Sequence, residues 1–210
     1  MPMNPRLLRP TASGTALHPE VKAWIEAVTA SGSSAGSLTL QAMSQFAAAI
    51  DAAGLRSKFT RVNLFCGNDL TACRTPLYRA DSAGGSPLGN ATDTNTNFVA
   101  GDYTETGASG GLKGNGSDKR LTTGLADLAV ASLHMSVYVT SVDSVPNNFR
   151  YWMGGDRSIL AARNGSTTAR WTQNTGAAIS SVDGGVFVGH AIGTNENTSS
   201  RAFYADGVQD

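Results

Sequence analysis

The stretch SLHMSVYVTS, residues 132–141, decides the fold class of this 210-residue chain. Its side chains alternate between an apolar face and a polar or amphipathic face: Leu133, Met135, Val137 and Val139, then His134, Ser136, Tyr138 and Thr140. Strict alternation over this length is the pattern of a half-buried β-strand. The stretch therefore predicts an antiparallel strand with one face in the core.

Short runs of the same kind surround it. The helical period gives way to alternation at FTRVNLFCG (59–67). The later runs are FRYWMGG (149–155), SILAARNG (158–165), TARWTQNTG (168–176), GGVFVGHAIG (184–193) and RAFYADGV (201–208). Spacing of about ten residues between such runs is typical of an antiparallel sandwich. Asp206-Gly207 signals a hairpin with few residues left for a returning strand, so we expect a β-sandwich over residues 59–210 that is incomplete at the C-terminus.

Two amphipathic helices are predicted upstream, in HPEVKAWIEAVTASG (18–32) and TLQAMSQFAAAIDAAG (39–54). Pro19 lies in the first turn of one, Thr39 is the candidate N-cap of the other, and Gly32 and Gly54 follow as stops. The apolar stripes are Val21, Trp24, Ile25 and Val28, then Leu40, Met43, Phe46, Ala47 and Ile50. Residues 18–58 thus form a short helical hairpin that must pack on another part of the chain.

The first 17 residues are expected to be an extended arm. Pro2, Pro5 and Pro10 oppose helix formation, and the segment is too short to fold alone. Its leucines are more than a solvating tail needs, which favours contacts with neighbouring copies.

The amino-acid composition limits the classes of partner that the protein is expected to bind. Charged residues make up 15% of the chain, with 16 basic against 16 acidic and no basic stripe. Nucleic acid and anionic membrane are therefore not expected partners. The N-terminus has no apolar signal region and no stretch reaches the roughly 18 apolar residues of a spanning helix. We expect synthesis in a cytoplasm.

The run YTETGASGGLKGNGSDKRLTTGL (103–125) contains six of the 24 glycines. Gly111 and Gly116 have the spacing of a phosphate-binding loop, but Ser117 and Asp118 replace its lysine and hydroxyl. The run also precedes a strand rather than a helix. A nucleotide cofactor is therefore not expected, and we interpret the glycines as turn residues.

Two further patterns resemble metal sites, but each lacks some of the residues that such a site needs. Asp93, Asn95 and Asn97 start like a calcium loop, but Phe98 and Thr104 stand where glycine and a carboxylate are needed. A second pattern, the pair Cys66 and Cys73, lacks the further ligands of a zinc site. We expect no metal and two reduced, half-buried thiols, with a local disulfide as the alternative.

Catalytic constellations are missing from the sequence. Glu105 is isolated beside Asp102, so no carboxylate pair of a glycosidase is evident. His18, His134 and His190 have no nucleophile pattern near them. We predict no catalytic residues and no enzymatic activity.

The remaining candidates are aromatic. Tyr138, Tyr151, Trp152 and Trp171 fall on neighbouring predicted strands. Aromatic faces stack on sugar rings, so these residues are a candidate carbohydrate-binding set. Packing in the core is the alternative for each of them.

Taken together, GASGGLKGNGSDKRLTTGL (107–125), SLHMSVYVTS and RAFYADGV resemble the concanavalin A-like, laminin-G-like jelly roll. The region 18–79 resembles the N-terminal block of tailed-bacteriophage structural proteins that carry this jelly roll. The resemblance implies a mainly β fold and a non-enzymatic virion component, such as a capsid decoration, neck or tail protein. It would be made in the host bacterial cytoplasm and would bind other virion proteins and copies of itself. The alternative is a carbohydrate-binding module for a host glycan, and a glycoside hydrolase ranks third.

Overall fold

A computed structural model of the chain describes residues 16–79, 89–107, 110–125, 133–141, 150–154, 158–163, 170–173, 188–195, 201–205 and 208–209. Chain contacts divide it into two compact units, Met1–Gly124 and Leu125–Asp210. The first unit contains the helices and three two-stranded sheets, and the second contains two larger antiparallel sheets.

Helix α1 spans Pro19–Ala30. The His18 ring accepts a hydrogen bond from the backbone N–H of Glu20, and proline occupies the first helical turn, where its missing N–H costs nothing. At the other end Gly32 takes φ +79°, and the N–H of Ser33 donates to the carbonyl of Val28 at 3.1 Å. The predicted helix and its glycine stop are confirmed.

Helix α2 spans Ser37–Ala52 and ends in the same way at Gly54, with φ +66°. Its beginning differs from the prediction. Gly36 is the N-cap, and the hydroxyl of Thr39 donates to Oε1 of Glu105 at 2.7 Å. The prediction of Thr39 as N-cap is wrong, because a carboxylate 66 residues away in sequence engages its hydroxyl.

The chain then returns across the helices through a 3-10 turn and short elements: Arg56–Lys58, β1 Arg61–Val62, α3 Leu70–Cys73 and β2 Tyr78–Arg79. β1 pairs antiparallel with β2. The run 59–67 was predicted as an alternating strand, but only Arg61–Val62 is one. Asn63 Oδ1 accepts from the N–H of Phe65, which turns to φ +48° and ends the strand.

The core of the first unit forms where this segment meets both helices. Tyr78 is fully buried, and its ring has Phe46 and Phe59 at centroid distances of 6.4 and 6.3 Å. The remaining buried members are Val21, Trp24, Val28, Met43, Ala47, Ala72 and Leu77. Trp24 also donates from its indole nitrogen to the carbonyl of Thr75 at 2.8 Å. The prediction that the two apolar stripes pack on another part of the chain is confirmed.

The glycine-rich run completes the first unit as strands and turns. The elements are β3 Thr94–Thr96, a 3-10 turn Ala100–Asp102, β4 Tyr103–Thr104, β5 Gly111–Leu112 and β6 Arg120–Thr122. β3 pairs with β6, and β4 pairs with β5. Gly124 has φ +69°, and a Cβ there would overlap the side chain of Asn90. At this position the glycine is required by backbone geometry, as predicted for the run.

The second unit consists of strands β7 Leu133–Val139, β8 Arg150–Gly154, β9 Ser158–Arg163, β10 Arg170–Gln173, β11 Gly189–Asn195, β12 Arg201–Ala205 and β13 Val208–Gln209. They form a four-stranded sheet in the order β13-β12-β11-β7 and a three-stranded sheet in the order β10-β9-β8. Every pairing is antiparallel. The structure confirms a strand within each run predicted in this part of the sequence, whereas residues 184–187 of the run 184–193 lie outside the described residues.

Side-chain size is matched between β7 and its neighbour β11. Met135 lies opposite Gly193, and Val139 lies opposite Gly189. Between them Val137 lies opposite Ala191. Val139, Ala191 and both glycines are buried, so this face of the sheet is the core face. Each large side chain on one strand therefore faces a small residue on the other.

Helices followed by antiparallel strands in small sheets agree with the predicted fold class, and the mainly β sandwich stays a prediction. The C-terminal hairpin is present, with Ala205 opposite Val208 and a returning strand of two residues. The arm lies almost wholly outside the described residues. The division of the chain at residues 17 and 58 also stays a prediction.

Candidate functional site

The exposed face of the four-stranded sheet gathers aromatic and imidazole side chains on three adjacent strands. We call it the outer face, and it comprises His134, Ser136, Tyr138, His190, Ile192, Thr194, Ala202 and Tyr204. These residues alternate along each strand with core-face residues, which is why they share one side. None of these eight residues is an aspartate, glutamate, lysine or arginine.

The most exposed aromatic residue of the outer face is Tyr138, at 60%. It lies directly opposite His190 in the β7–β11 ladder. The two rings meet edge to face, with centroids 4.8 Å apart and planes at 69°. This geometry is the favourable one for aromatic pairs, and it holds the tyrosine ring upright on the sheet. The contact therefore favours this orientation of the Tyr138 ring.

A second row runs beside this pair. Ile192 lies opposite Ser136 on one side and opposite Tyr204 on the other. Ile192 and Tyr204 are half-buried, and Ser136 is exposed. The outer face thus combines an exposed tyrosine ring with half-buried aliphatic surface and neutral polar groups.

The four aromatic residues proposed from the sequence do not share one surface. Tyr138 is on the four-stranded sheet, whereas Tyr151 and Trp152 belong to β8 and Trp171 to β10 in the three-stranded sheet. Trp152 lies at a β-bulge, since the residues on either side of it pair with consecutive residues of β9. The side chains of these three residues lie outside what the structure describes, so their role stays a prediction.

The sequence analysis missed His190, Ile192 and Tyr204 as members of the outer face. In GHAIGTN the large residues alternate with glycine and alanine, so hydrophobicity alone assigns Ile192 to the core. The signal that could have identified them is side-chain size: small residues on β11 lie opposite large residues on β7. Small residues face the core here because β7 fills the space opposite them.

A second candidate is an open cavity of about 410 Å³ beside α2. Its lining is mostly apolar and includes Cys66 and Glu105. The Glu105 carboxylate accepts hydrogen bonds from the hydroxyl of Thr39 and from the N–H of Gly67 at 2.8 Å. The carboxylate therefore joins α2 to two loops, which is a structural role.

The two cysteine thiols are free. Burial, and after it the charge of Glu105, raises the pKa of Cys66 to about 12. Burial and the neighbouring Cys66 likewise raise the pKa of Cys73 to about 12. The thiolate is the nucleophilic form of cysteine, so these groups are poor nucleophiles at neutral pH. No disulfide joins the two thiols in the structure; Cys66 is half-buried as predicted, whereas Cys73 is fully buried.

In the structure, each side chain of the incomplete calcium pattern has a different partner. Asp93 is 3% exposed and accepts from Arg61 at 2.6 Å and Asn63 at 3.0 Å. The amide of Asn95 bonds the backbone of the third residue after it, and Asn97 donates to the carboxylate of Asp118. In the described part of the chain no cluster of three or more His, Cys, Asp or Glu could hold a metal ion.

The described helices are also too short or too polar to span a bilayer. No protein-family model, curated protein or solved structure matches the chain. Its function is therefore inferred from its own residues and their geometry.

Proposed function

We propose that the protein is a non-enzymatic structural component of a tailed bacteriophage particle, at the capsid surface, neck or tail. In this proposal its second unit is a concanavalin A-like β-sandwich. The sandwich in this proposal rests on one observation, the order of the strands in the two sheets. β8 contacts β7, β9 contacts β11, and β10 contacts both β11 and β12. Two antiparallel sheets whose strands follow one another in this way are typical of face-to-face packing.

Three carboxylates of the first unit that are at least half-buried have structural partners, which suits a non-enzymatic role. Asp93 pairs with Arg61, and Asp102 accepts from the ammonium group of Lys119 at 2.6 Å. Glu105 is engaged by Thr39 and Gly67, as described above. A glycoside hydrolase needs two carboxyl groups facing one sugar, and the described outer-face residues offer none.

An assembly role also suits the low charge of the chain. With 15% charged residues, its surface has fewer solvated groups than an ordinary domain, for which about 25% is usual. Contact with other virion proteins and with copies of itself would cover such a surface. The extended arm predicted from the sequence would add to these contacts.

The test is quantitative mass spectrometry of purified particles of the phage that encodes the chain. We expect the protein at a fixed ratio to the major capsid protein, retained through density-gradient purification and a high-salt wash. Abundant protein in the lysate but none in the particles would refute the proposal.

A second candidate function, compatible with the first, is binding of a host glycan on the outer face. Tyr138 supports it, because its ring is exposed and is held in place by His190. A sugar ring stacked on Tyr138 would have the hydroxyl of Ser136 two residues away on the same face, and an oligosaccharide lying along β7 would also reach His134 and Thr194. Stacking of this kind needs no metal ion.

Glycan-array binding of matched variants tests this second candidate. Replacing Tyr138 with alanine should weaken binding at least about fivefold, since aromatic contacts are worth about 1 kcal/mol beyond their buried area. Leu38→Ala is the control, because Leu38 is 68% exposed but belongs to the first unit. Loss of binding in Trp152→Ala instead would move the site to the three-stranded sheet. Absence of glycan binding by the parent protein would eliminate this candidate.

A further inference from the structure

Strand β7 lies at one edge of the four-stranded sheet. In the part of the chain that the structure describes, its ladder partner is β11, in register along all seven residues Leu133–Val139. No described strand pairs with the opposite side of β7, so among the described residues the N–H and C=O groups on that side have no ladder partner. Such an edge is a template for pairing with another strand.

The other outer strands of the two larger sheets are protected against such pairing. β13 is only two residues long. β8 is irregular, with register shifts on both sides of Tyr151, and β10 has four residues beginning with Arg170. β7 has none of these features, because it is long, regular and free of proline, lysine, arginine and acidic residues. It is the one edge in this set without the usual protection.

We propose that β7 pairs antiparallel with β7 of a second copy of this chain, about a two-fold axis at Ser136. This register is the one that pairs all seven residues, with Leu133 opposite Val139 of the partner subunit. It forms roughly six to eight backbone hydrogen bonds between the chains. The two four-stranded sheets then become one sheet of eight strands whose outer faces are continuous.

The side chains of β7 are self-complementary in this register. On the outer face Tyr138 lies opposite His134 of the partner subunit, which repeats the tyrosine–histidine contact that Tyr138 makes with His190 within one chain. On the core face Met135 lies opposite Val137 of the partner subunit, so apolar groups meet. This complementarity favours a second copy over a foreign strand.

The pairing goes beyond the proposed function, because it depends on the strand edge alone and holds for a protein of any role. A positive result in solution would stand even if the protein were absent from particles.

Sedimentation velocity over a range of protein concentrations tests the pairing. The parent chain should form a concentration-dependent dimer. Ser136→Lys should raise the dimer dissociation constant about tenfold or more at low salt, because two like charges then lie directly opposite each other. Ser136→Glu should do the same, and an equimolar mixture of the two variants should restore dimers. Because Ser136 is exposed, neither change disturbs the core.

Thr194→Lys is the matched control, since it adds the same charge to the outer face on the inner strand β11 and should leave the dimer intact. Circular dichroism of each variant shows whether the fold is kept, and restoration in the mixture excludes unfolding as the cause. A parent chain that stays monomeric would overturn the proposal. Dimers that persist in Ser136→Lys and Ser136→Glu alike, or a mixture that remains monomeric, would also overturn it.

Discussion

Replacing Asp93 with asparagine should destabilise the first unit by about 3–5 kcal/mol. The Asp93 and Arg61 side chains are only 3% and 7% exposed, and the ion pair between them measures 2.6 Å. Arg61 also donates to the carbonyl of Asn90 at 3.0 Å, but its Nε and Nη1 have no partner among the described residues. The variant therefore leaves a buried guanidinium without a countercharge, and desolvation of that charge dominates the loss.

The control is Glu20→Gln, which breaks an ion pair of similar length in the same unit. Arg56 and Glu20 lie 2.8 Å apart, but their side chains are 31% and 34% exposed. Solvent screens such a pair, so we expect a loss below about 1 kcal/mol. The comparison separates burial from contact distance as the origin of the effect.

The assay is hydrogen exchange of peptides from residues 16–79, followed by mass spectrometry. In the regime where exchange reports the opening equilibrium, Asp93→Asn should accelerate the slowest amides by about two to three and a half powers of ten. Adding Arg61→Met to it should restore part of the protection, because the buried charge is then removed. If Asp93→Asn costs no more than Glu20→Gln, or if the double variant is simply additive, the electrostatic account is wrong.

Two other perturbations probe the first unit. Gly67→Ala should cost about 2–5 kcal/mol in urea unfolding, because residue 67 has φ +109° and the new Cβ would overlap the Cβ of Ala72. Gly101→Ala, which meets no atom within 4 Å, is its control, and equal midpoints for the two would contradict the strain. The hydrogen bond from Lys119 lowers the pKa of Asp102, so the folded state binds this proton less readily than the unfolded chain. The resulting stability is fully present above the ordinary aspartate pKa of about 3.9 and is lost as the pH falls below it. Thermal melts from about pH 6 to about pH 2 should show this loss, with a shallower slope in Asp102→Asn; identical slopes would rule it out.

Local chemistry made the helices predictable from the sequence. Proline in the first turn of α1 and glycine after each helix act within one turn of the chain, and the structure confirms both stops. The beginning of α2 could not be predicted in the same way. Thr39 is a good capping residue by type, but its hydroxyl is taken by Glu105, which no local pattern connects to it.

For the sheets, the alternation of apolar and polar residues predicted which segments are strands. It predicted which side chains face the core for only some of those strands. β7 followed the rule, and Tyr138 is exposed as its position in the pattern implies. β11 did not follow the rule. The large side chains of β7 fill the core beside it, so β11 places small residues on the core face and its own large residues on the outer face. The contact between Tyr138 and His190 depends on this register. Register between strands this far apart in sequence is set by packing rather than by sequence period.

Large side chains on β7 lie opposite small residues on β11, and this pairing constrains which substitutions the sheet can accept during evolution. A larger residue at Gly193 is accommodated only if Met135 becomes smaller, and the same exchange applies to Val139 with Gly189. A single substitution is destabilising in either order, since one intermediate is overfilled and the other contains a void. Related chains should therefore show these positions varying in pairs, with bulk moving from one strand to the other while the volume of the layer stays constant.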